Sequence, residues 1–379
     1  MLNERLYGCL SDIYWAAYGA SRWLVERGPG AALRLLVHEE APAIARFHMP
    51  LRRRLWLWRH GFLSQAHVLY GEDGVTAENY HRYLSSYQRD LTQRINGRWG
   101  EALENKLLFH HLLDDFPEHR STVYGHLMNG RYTPIDAEEP AACGADAIDR
   151  VMTLLERKGR LVLKPTYGTI GKRILMCERT GDGYRINSED HSKKRFAARI
   201  SDLGDYLVSE FVEQAPYASA LYPDAPNTLR VLTMVDPNSG EPFVAAVAHR
   251  IGTDRSAPLD NWSRGGLSAA VDRETGELGE AIQYPYDGHR ERHTSHPDTG
   301  APITGVSIPG WPTIQKRILD IAARCSQIPY VGWDLVITEE GEFTLIEGNN
   351  CSGVRVFQVH EPLLDDPRVR RFYDHYDAL

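Results

Sequence analysis

Cysteine is scarce in this chain and carries no pattern. Cys9, Cys143, Cys177, Cys325 and Cys351 are scattered, odd in number and form no Cys-x-x-Cys pair. Neither a zinc site nor a disulfide framework is indicated, and a reducing, cytoplasmic setting is expected. Long apolar runs are also missing. No window approaches the ~18 uninterrupted apolar residues of a membrane-spanning helix, and the first twenty residues are broken by Glu4, Arg5 and Asp12, unlike a secretory leader. No block of one charge sign occurs. Lys and Arg number 43 against 51 Asp and Glu, a net −8, which argues against a dedicated nucleic-acid binder. Repeats and low-complexity tracts are absent too. What remains is an ordinary globular balance, 42% hydrophobic and 25% charged over 379 residues, enough for two or three packed units at roughly 100–200 residues each.

Residues 1–130 read as mostly helical. Tyr14 to Glu26 and Ala31 to Val37 are amphipathic around the Gly28-Pro29-Gly30 breaker, and 76–94 and 101–114 follow the helical period. Arg52 to Arg59 interleaves arginines with Trp56 and Trp58. This is either a peripheral membrane contact or a helix that buries its tryptophans beneath snorkelling arginines. Pro134, Pro140 and alanine–acid clusters mark 131–148 as a linker, with a helix at about 145–158.

The character then changes. Apolar, β-branched segments recur at Leu161–Lys164, Arg173–Cys177, Asp205–Val212, Thr228–Val235, Pro242–His249 and Leu267–Val271. A helix at about 313–326 and strands Tyr330–Thr338 and Glu342–Glu347 complete the chain. The fold class is α+β with much antiparallel pairing.

The last two strands carry the sharpest signal. Glu340-Gly341 suits a two-residue hairpin turn with glycine at positive φ. That register sets Thr338 against Phe343, Val336 against Leu345 and Asp334 against Glu347, with Asn349 further along the same face. Opposed carboxylates have Cβ atoms roughly 4.5–5.5 Å apart and repel, so a shared proton, an arginine or a divalent cation must compensate. Two carboxylates and an amide oxygen form a hard donor set suited to Mg²⁺. The flanking apolar residues argue against a solvated surface hairpin.

Other features are weaker alone. Lys164 ends a strand before Gly168 and Gly171, a loop that either brings backbone N–H groups to phosphate or is a plain turn. The strand through Ser209-Glu210-Phe211-Val212-Glu213 is either an edge strand or a hinge offering a carboxylate to an adenine amino group. His289, His293 and His296 could be metal ligands, a substrate loop or solvated loop; Gly288 and Pro297 oppose the helix that ligation needs. Cys351 reads as a small buried residue.

Together these pieces resemble the ATP-grasp superfamily, whose metal signature is an Asp on one strand and Glu-x-Asn on the next: here Asp334 and Glu347-Gly348-Asn349. The resemblance spans about Lys106 to Gln358. Details such as Gly332-Trp333-Asp334, Asp260-Asn261 with Gly265-Gly266, and Trp58 to Phe62 are most similar to the sugar-transfer-associated subgroup. It implies two α+β subdomains clasping ATP, at 149–215 and 216–379, behind the helical region and the linker. It implies Lys106, Lys164, Gly168, Gly171, Glu210, Phe211, Val212 and Glu213 at ATP, and Mg²⁺ on Asp334, Glu347 and Asn349. Arg230 and Arg250 would face the transferring phosphoryl group, and Asn261, Arg264, Gly265 and Gly266 the second substrate. Glu213 and Asp224 both compete for the ribose. The helical N-terminus departs from the family's usual α/β pre-domain. The implied activity is ATP-dependent joining of a small-molecule carboxylate to an amine through an acyl-phosphate, on a sugar, amino acid or cell-surface polysaccharide precursor. A phosphotransferase and a non-catalytic nucleotide-binding scaffold are the alternatives.

Overall fold

The computed structural model describes residues 36–70, 74–136, 145–168, 173–181, 183–286 and 288–379. The helices expected at Tyr14–Glu26 and across most of Ala31–Val37 lie outside them, as does 137–144 of the expected linker.

Two antiparallel sheets organise the chain. The first contains β1 (Val123–Met128), β2 (Arg131–Pro134), β3 (Ala145–Asp146), β4 (Arg160–Pro165), β5 (Leu175–Arg179), β6 (Tyr184–Ile186), β7 (Glu189–His191) and β8 (Tyr206–Glu210). Their order is β3-β2-β1-β8-β4-β5-β6-β7. The expected boundary at 130–131 therefore falls inside a hairpin, and part of the supposed linker is strand. Asn129 and Gly130, at φ 51° and 75°, make the turn. Asn-Gly between alternating apolar residues is the strongest short hairpin signal.

Helices Ala147–Lys158 and Lys193–Ser201 cover one face of this sheet, burying Val151, Leu155, Phe196 and Ile200 against Leu161, Leu163 and Val208. The first starts where the Asp146 side chain accepts from the backbone N–H groups of Ile148 and Asp149. It ends at Gly159, at φ 77°.

The second sheet contains β9 (Leu229–Val235), β10 (Pro242–Ile251), β11 (Leu267–Val271), β12 (Leu278–Gln283), β13 (Arg292–His293), β14 (Tyr330–Glu339) and β15 (Glu342–Asn349). Its order is β13-β12-β11-β10-β9-β14-β15. Helix Trp311–Arg324 places Ile314, Ile318 and Ile321 on one face, packed on Leu229, Val231, Trp333 and Leu335. The opposite face holds Leu232, Met234 and Tyr330 under the C-terminal helix Pro367–His375, through Val369, Phe372 and Tyr373. Strand alternation therefore turns Arg230 and Asp334 away from helix Trp311–Arg324.

The helical N-terminal part is welded to this second sheet. Asn96 accepts from the Tyr330 backbone N–H at 3.1 Å and donates to its carbonyl at 2.7 Å and to Asn350 Oδ1 at 2.9 Å. The Gln358 amide, 1% exposed, exchanges two hydrogen bonds with the Leu84 backbone, at 2.7 and 3.0 Å. Helix Leu51–Arg59 buries Leu55 and Leu57, and Trp58 Nε1 donates to Glu40. Arg53 donates to the Val75 carbonyl and Arg54 to that of Phe47. These arginines serve the chain's own carbonyls, as in a packed helix, but Trp56 and Trp58 are only half-buried, and Leu55 and Leu57 take the buried positions expected of the tryptophans. No described helix is long and apolar enough to cross a membrane.

Candidate functional site

A cavity of about 920 Å³ is lined by side chains of both sheets and of the N-terminal helical part. It stands near the top of the roughly 300–1,000 Å³ range of ligand pockets.

The terminal hairpin supplies its floor. The turn forms as expected, with Gly341 at φ 74°, and Asp334 lies opposite Glu347, with Gly332 opposite Asn349. Between turn and acids the register differs from expectation: Leu335 pairs Leu345, Val336 pairs Thr344 and Ile337 pairs Phe343. Thr338 on β14 and Ile346 on β15 are extra residues at two bulges whose shifts cancel. The acids thus meet as the simple register requires, although the Val336–Leu345 and Thr338–Phe343 pairs do not form.

The compensating charge comes from the chain. Asp334, 4% exposed, is clamped by Arg230 through Nε to Oδ1 and Nη2 to Oδ2, and Arg250 Nη2 reaches Oδ2 at 3.0 Å. Strand order β10-β9-β14 places these three side by side, with Asp334 directly opposite Arg230. Burial raises the Asp334 carboxyl, but the two guanidiniums outweigh it and hold it below the usual carboxylate range. Glu347 Oε1 pairs with Lys106 Nζ at 3.1 Å, and the same ammonium donates to the Gly168 carbonyl at 2.8 Å. The repulsion argument for a bound cation therefore fails: arginines and a lysine already neutralise the acids. The donor chemistry still fits Mg²⁺. Asp334, Glu347 and Asn349 all line the cavity. The Asn349 Nδ2 bond to the Gly332 carbonyl, 3.0 Å, leaves its Oδ1 as the atom available to a metal.

Lys164 lies on β4, 7% exposed. Burial and the Lys106 charge push its ammonium down to about 8, against the pull of Glu347 and Glu210. Gly168 adopts φ 142°, with open space where a side chain would stand, while Gly171 lies outside the described residues. Glu210, Phe211 and Val212 line the cavity. Glu210 Oε1 accepts from the Thr122 backbone N–H at 2.7 Å, which leaves Oε2 to a ligand. Asn261 is at the wall, its Oδ1 accepting from Ser263.

Six expected residues stand apart from the cavity wall: Lys106, which meets it through Glu347 and the Gly168 carbonyl, and Glu213, Asp224, Arg264, Gly265 and Gly266. Glu213 is 68% exposed and paired with Arg160, since the chain has left β8 by then; Asp224 is exposed too. Arg264 points to solvent. Gly265 and Gly266 are buried behind the wall, where a Cβ on Gly266 would stand 2.7 Å from the Asp260 carbonyl oxygen and 3.0 Å from that of Ile251. They shape the loop rather than touch its contents. Gly266→Ala is therefore expected to lower stability by about 1–3 kcal/mol, the usual range for overpacking; an unchanged urea midpoint would contradict this placement.

The histidine spacing brings no metal ligands together, and among the described residues no three His, Cys, Asp or Glu side chains converge as a metal site. His296 is buried, its Nε2 facing the Gly252 carbonyl at 2.7 Å and its ring stacked on Tyr222. Cys351 is half-buried rather than buried, and lines the cavity beside Arg89. Residues that sequence reasoning missed include Glu39, Arg89, Asp90, Glu104 and Arg355 at the wall. Their approach depends on tertiary packing, and no local pattern signals it.

A family model described as sugar-transfer associated ATP-grasp matches residues 86–368. No curated protein matches the chain. Among solved structures it is similar to an ADP complex of purK, N5-carboxyaminoimidazole ribonucleotide synthetase (12% identity, 66% of this chain, 45% of that one, TM-score 0.34). It is similar to the ATP-grasp ligase PsnB complexed with minimal precursor, Mg and ADP (12% identity, 74% and 62%, TM-score 0.36). It is also similar to the D-alanine-D-alanine ligase of Coxiella burnetii (11% identity, 73% and 59%, TM-score 0.34). The chain spans 45% to 62% of the length of these structures.

Proposed function

The chain belongs to the sugar-transfer associated ATP-grasp family, and from that membership we propose that it is an ATP- and Mg²⁺-dependent carboxylate–amine ligase working through an acyl-phosphate. One observation carries the reading: four cationic side chains, Lys106, Lys164, Arg230 and Arg250, gather around Asp334 and Glu347 beside a largely apolar slot. Val162, Ile174, Met176, Phe211, Val336 and Ile346 line that slot. A flat base would fill it, with Glu210 Oε2 meeting its amino group.

Asp334, Glu347 and Asn349 would hold Mg²⁺, which when bound neutralises charge on the β- and γ-phosphates. Lys106 and Lys164 fix phosphate oxygens. Arg230 and Arg250 face the phosphoryl group as it passes to the substrate carboxylate; the bond from Pγ to the bridging oxygen breaks and ADP leaves with the electron pair. The amine then attacks the acyl carbon, phosphate departs, and the amine proton goes to solvent. Phosphoryl transfer asks mainly for positioning and charge stabilisation, which these residues supply. The substrates would be a small-molecule carboxylate and amine in a reducing, cytoplasmic setting, with sugar acids, amino acids and polysaccharide precursors as the candidates.

The decisive experiment is ADP and phosphate release across amino acids, sugar acids and amino sugars, with mass spectrometry of the product. A ligase yields free phosphate and a condensed product. A phosphorylated product without free phosphate would make the protein a kinase, and ATP binding without turnover a scaffold.

Lys164 adds a pH signature. Its cation is lost as pH rises through about 8, so the KM for ATP should climb between about pH 7 and about pH 9. Lys164→Arg should flatten the profile, because guanidinium does not titrate there. A flat wild-type profile would remove Lys164 from the phosphate. The same depressed value makes burial of Lys164 most costly below about 8, so its contribution to stability improves as pH climbs from there toward 10.5.

A further inference from the structure

The cavity has a second lobe that the phosphate chemistry does not use. Its wall carries an alternating string of charges: Arg355 Nη1 pairs with Glu39 Oε2 at 3.2 Å, Glu39 Oε1 stands 4.0 Å from Arg89 Nη2, and Arg89 Nη2 pairs with Asp90 Oδ1 at 3.0 Å. The four side chains are 24–31% exposed, and all four line the cavity. Glu104 joins them from the neighbouring wall, accepting from Asn350 Nδ2 at 3.0 Å.

Three separate segments build this string: residues 36–40, the helix Ser86–Leu91 and the helix Arg355–Gln358. Glu39 and Asp90 pair with Arg355 and Arg89, whereas Asp334 pairs with Arg230 and Arg250. Yet it begins beside the reaction centre, since Cys351 at its edge is two residues beyond Asn349.

We propose that this lobe binds a zwitterion of the amino-acid type, with its carboxylate taken by Arg355 and Arg89 and its ammonium by Glu39 and Asp90. Such a ligand presents one anion and one cation at short separation, as the wall does, and exchanges ion pair for ion pair on entry. A lone carboxylate or a lone amine would satisfy half the string and leave the other half strained. A neutral sugar offers no charge to either partner. The proposal rests on the ligase reading only for the reaction that follows binding.

Cys351, half-buried at the lobe's edge, reports occupancy without turnover. The full chain is treated with methyl methanethiosulfonate, and modification of Cys351 is followed by peptide mass spectrometry. The probes are L-alanine, L-glutamate, L-alaninamide, propionate, glucosamine and glucose, with ATP binding measured in parallel. An amino acid should slow modification at concentrations at least about tenfold lower than its amide, propionate or either sugar. Arg355→Gln and Glu39→Gln, both at partly exposed positions, should abolish that preference without changing ATP binding. Equal protection by glucose or glucosamine, or no protection by either amino acid, overturns the zwitterion site and leaves the ligase reading standing. Loss of ATP binding in the wild-type chain would instead count against the ligase reading while the protection data stay valid.

Discussion

Asp334→Ala should lower folding stability by about 3–5 kcal/mol, the usual cost of removing one partner from a buried ion pair. The aspartate is 4% exposed, and Arg230 beside it is 8% exposed. Removing the carboxylate strips Arg230 of its two-pronged partner beside Arg250, which keeps only Asp260 at 3.5 Å, so repulsion adds to the stranded desolvation cost. Adding Arg230→Met should return part of the loss, because the double variant strands one cation fewer. Urea denaturation of the single and double variants measures both effects, and a single variant with the wild-type midpoint would contradict the buried clamp. The pH dependence has a fixed sign. The arginines depress the folded-state value of Asp334 below the ordinary 3.8. The stabilisation is therefore present above about 4 and is lost as pH falls through the depressed value.

Glu347→Gln separates chemistry from folding at the same hairpin. Glu347 is a quarter exposed, and its partner Lys106 also donates to the Gly168 carbonyl. The stability change should stay within about 1 kcal/mol, as for other partly solvated pairs. ATP turnover should nevertheless fall on the order of 10²–10³-fold, as when a single charge-stabilising group is removed from a transition state. ADP release at saturating Mg²⁺ measures it. Wild-type turnover in Glu347→Gln would take the metal away from this strand. The contrast between the two variants matters more than either alone, because an unfolded protein and a metal-free one both lose turnover.

The sequence made some of this legible, and the reasons differ by residue. The juxtaposition of Asp334 and Glu347 followed from turn chemistry, since Glu340-Gly341 leaves little choice of loop. The bulges at Thr338 and Ile346 did not show, because a bulge adds a residue without altering the apolar pattern, and here two cancel. Strand positions such as Leu267–Val271 were readable from alternation bounded by turn residues. Strand β1 falls in the stretch read as mostly helical and β2 in the expected linker, although Asn129-Gly130 announces their turn. Which cations neutralise the acids was hidden. It depends on β9 lying between β10 and β14, and on Lys106 reaching β15 from the N-terminal part. The second lobe was invisible for the same reason. Glu39 and Arg355 are far apart in sequence and meet only in the folded chain.

The paired hydrogen bonds between Gln358 and the Leu84 backbone set a limit on how this protein can be cut. Family similarity begins at 86 and ends at 368, and a fragment trimmed to those limits is the natural choice for expression. Such a fragment would leave the buried Gln358 amide without its two partners and would strip Phe372 and Tyr373 from Tyr330, on the strand that carries Asp334. The region of recognisable descent is thus smaller than the region that folds as a unit. The flanks belong to the core beneath the sheet that carries Asp334 and are not appendages to it.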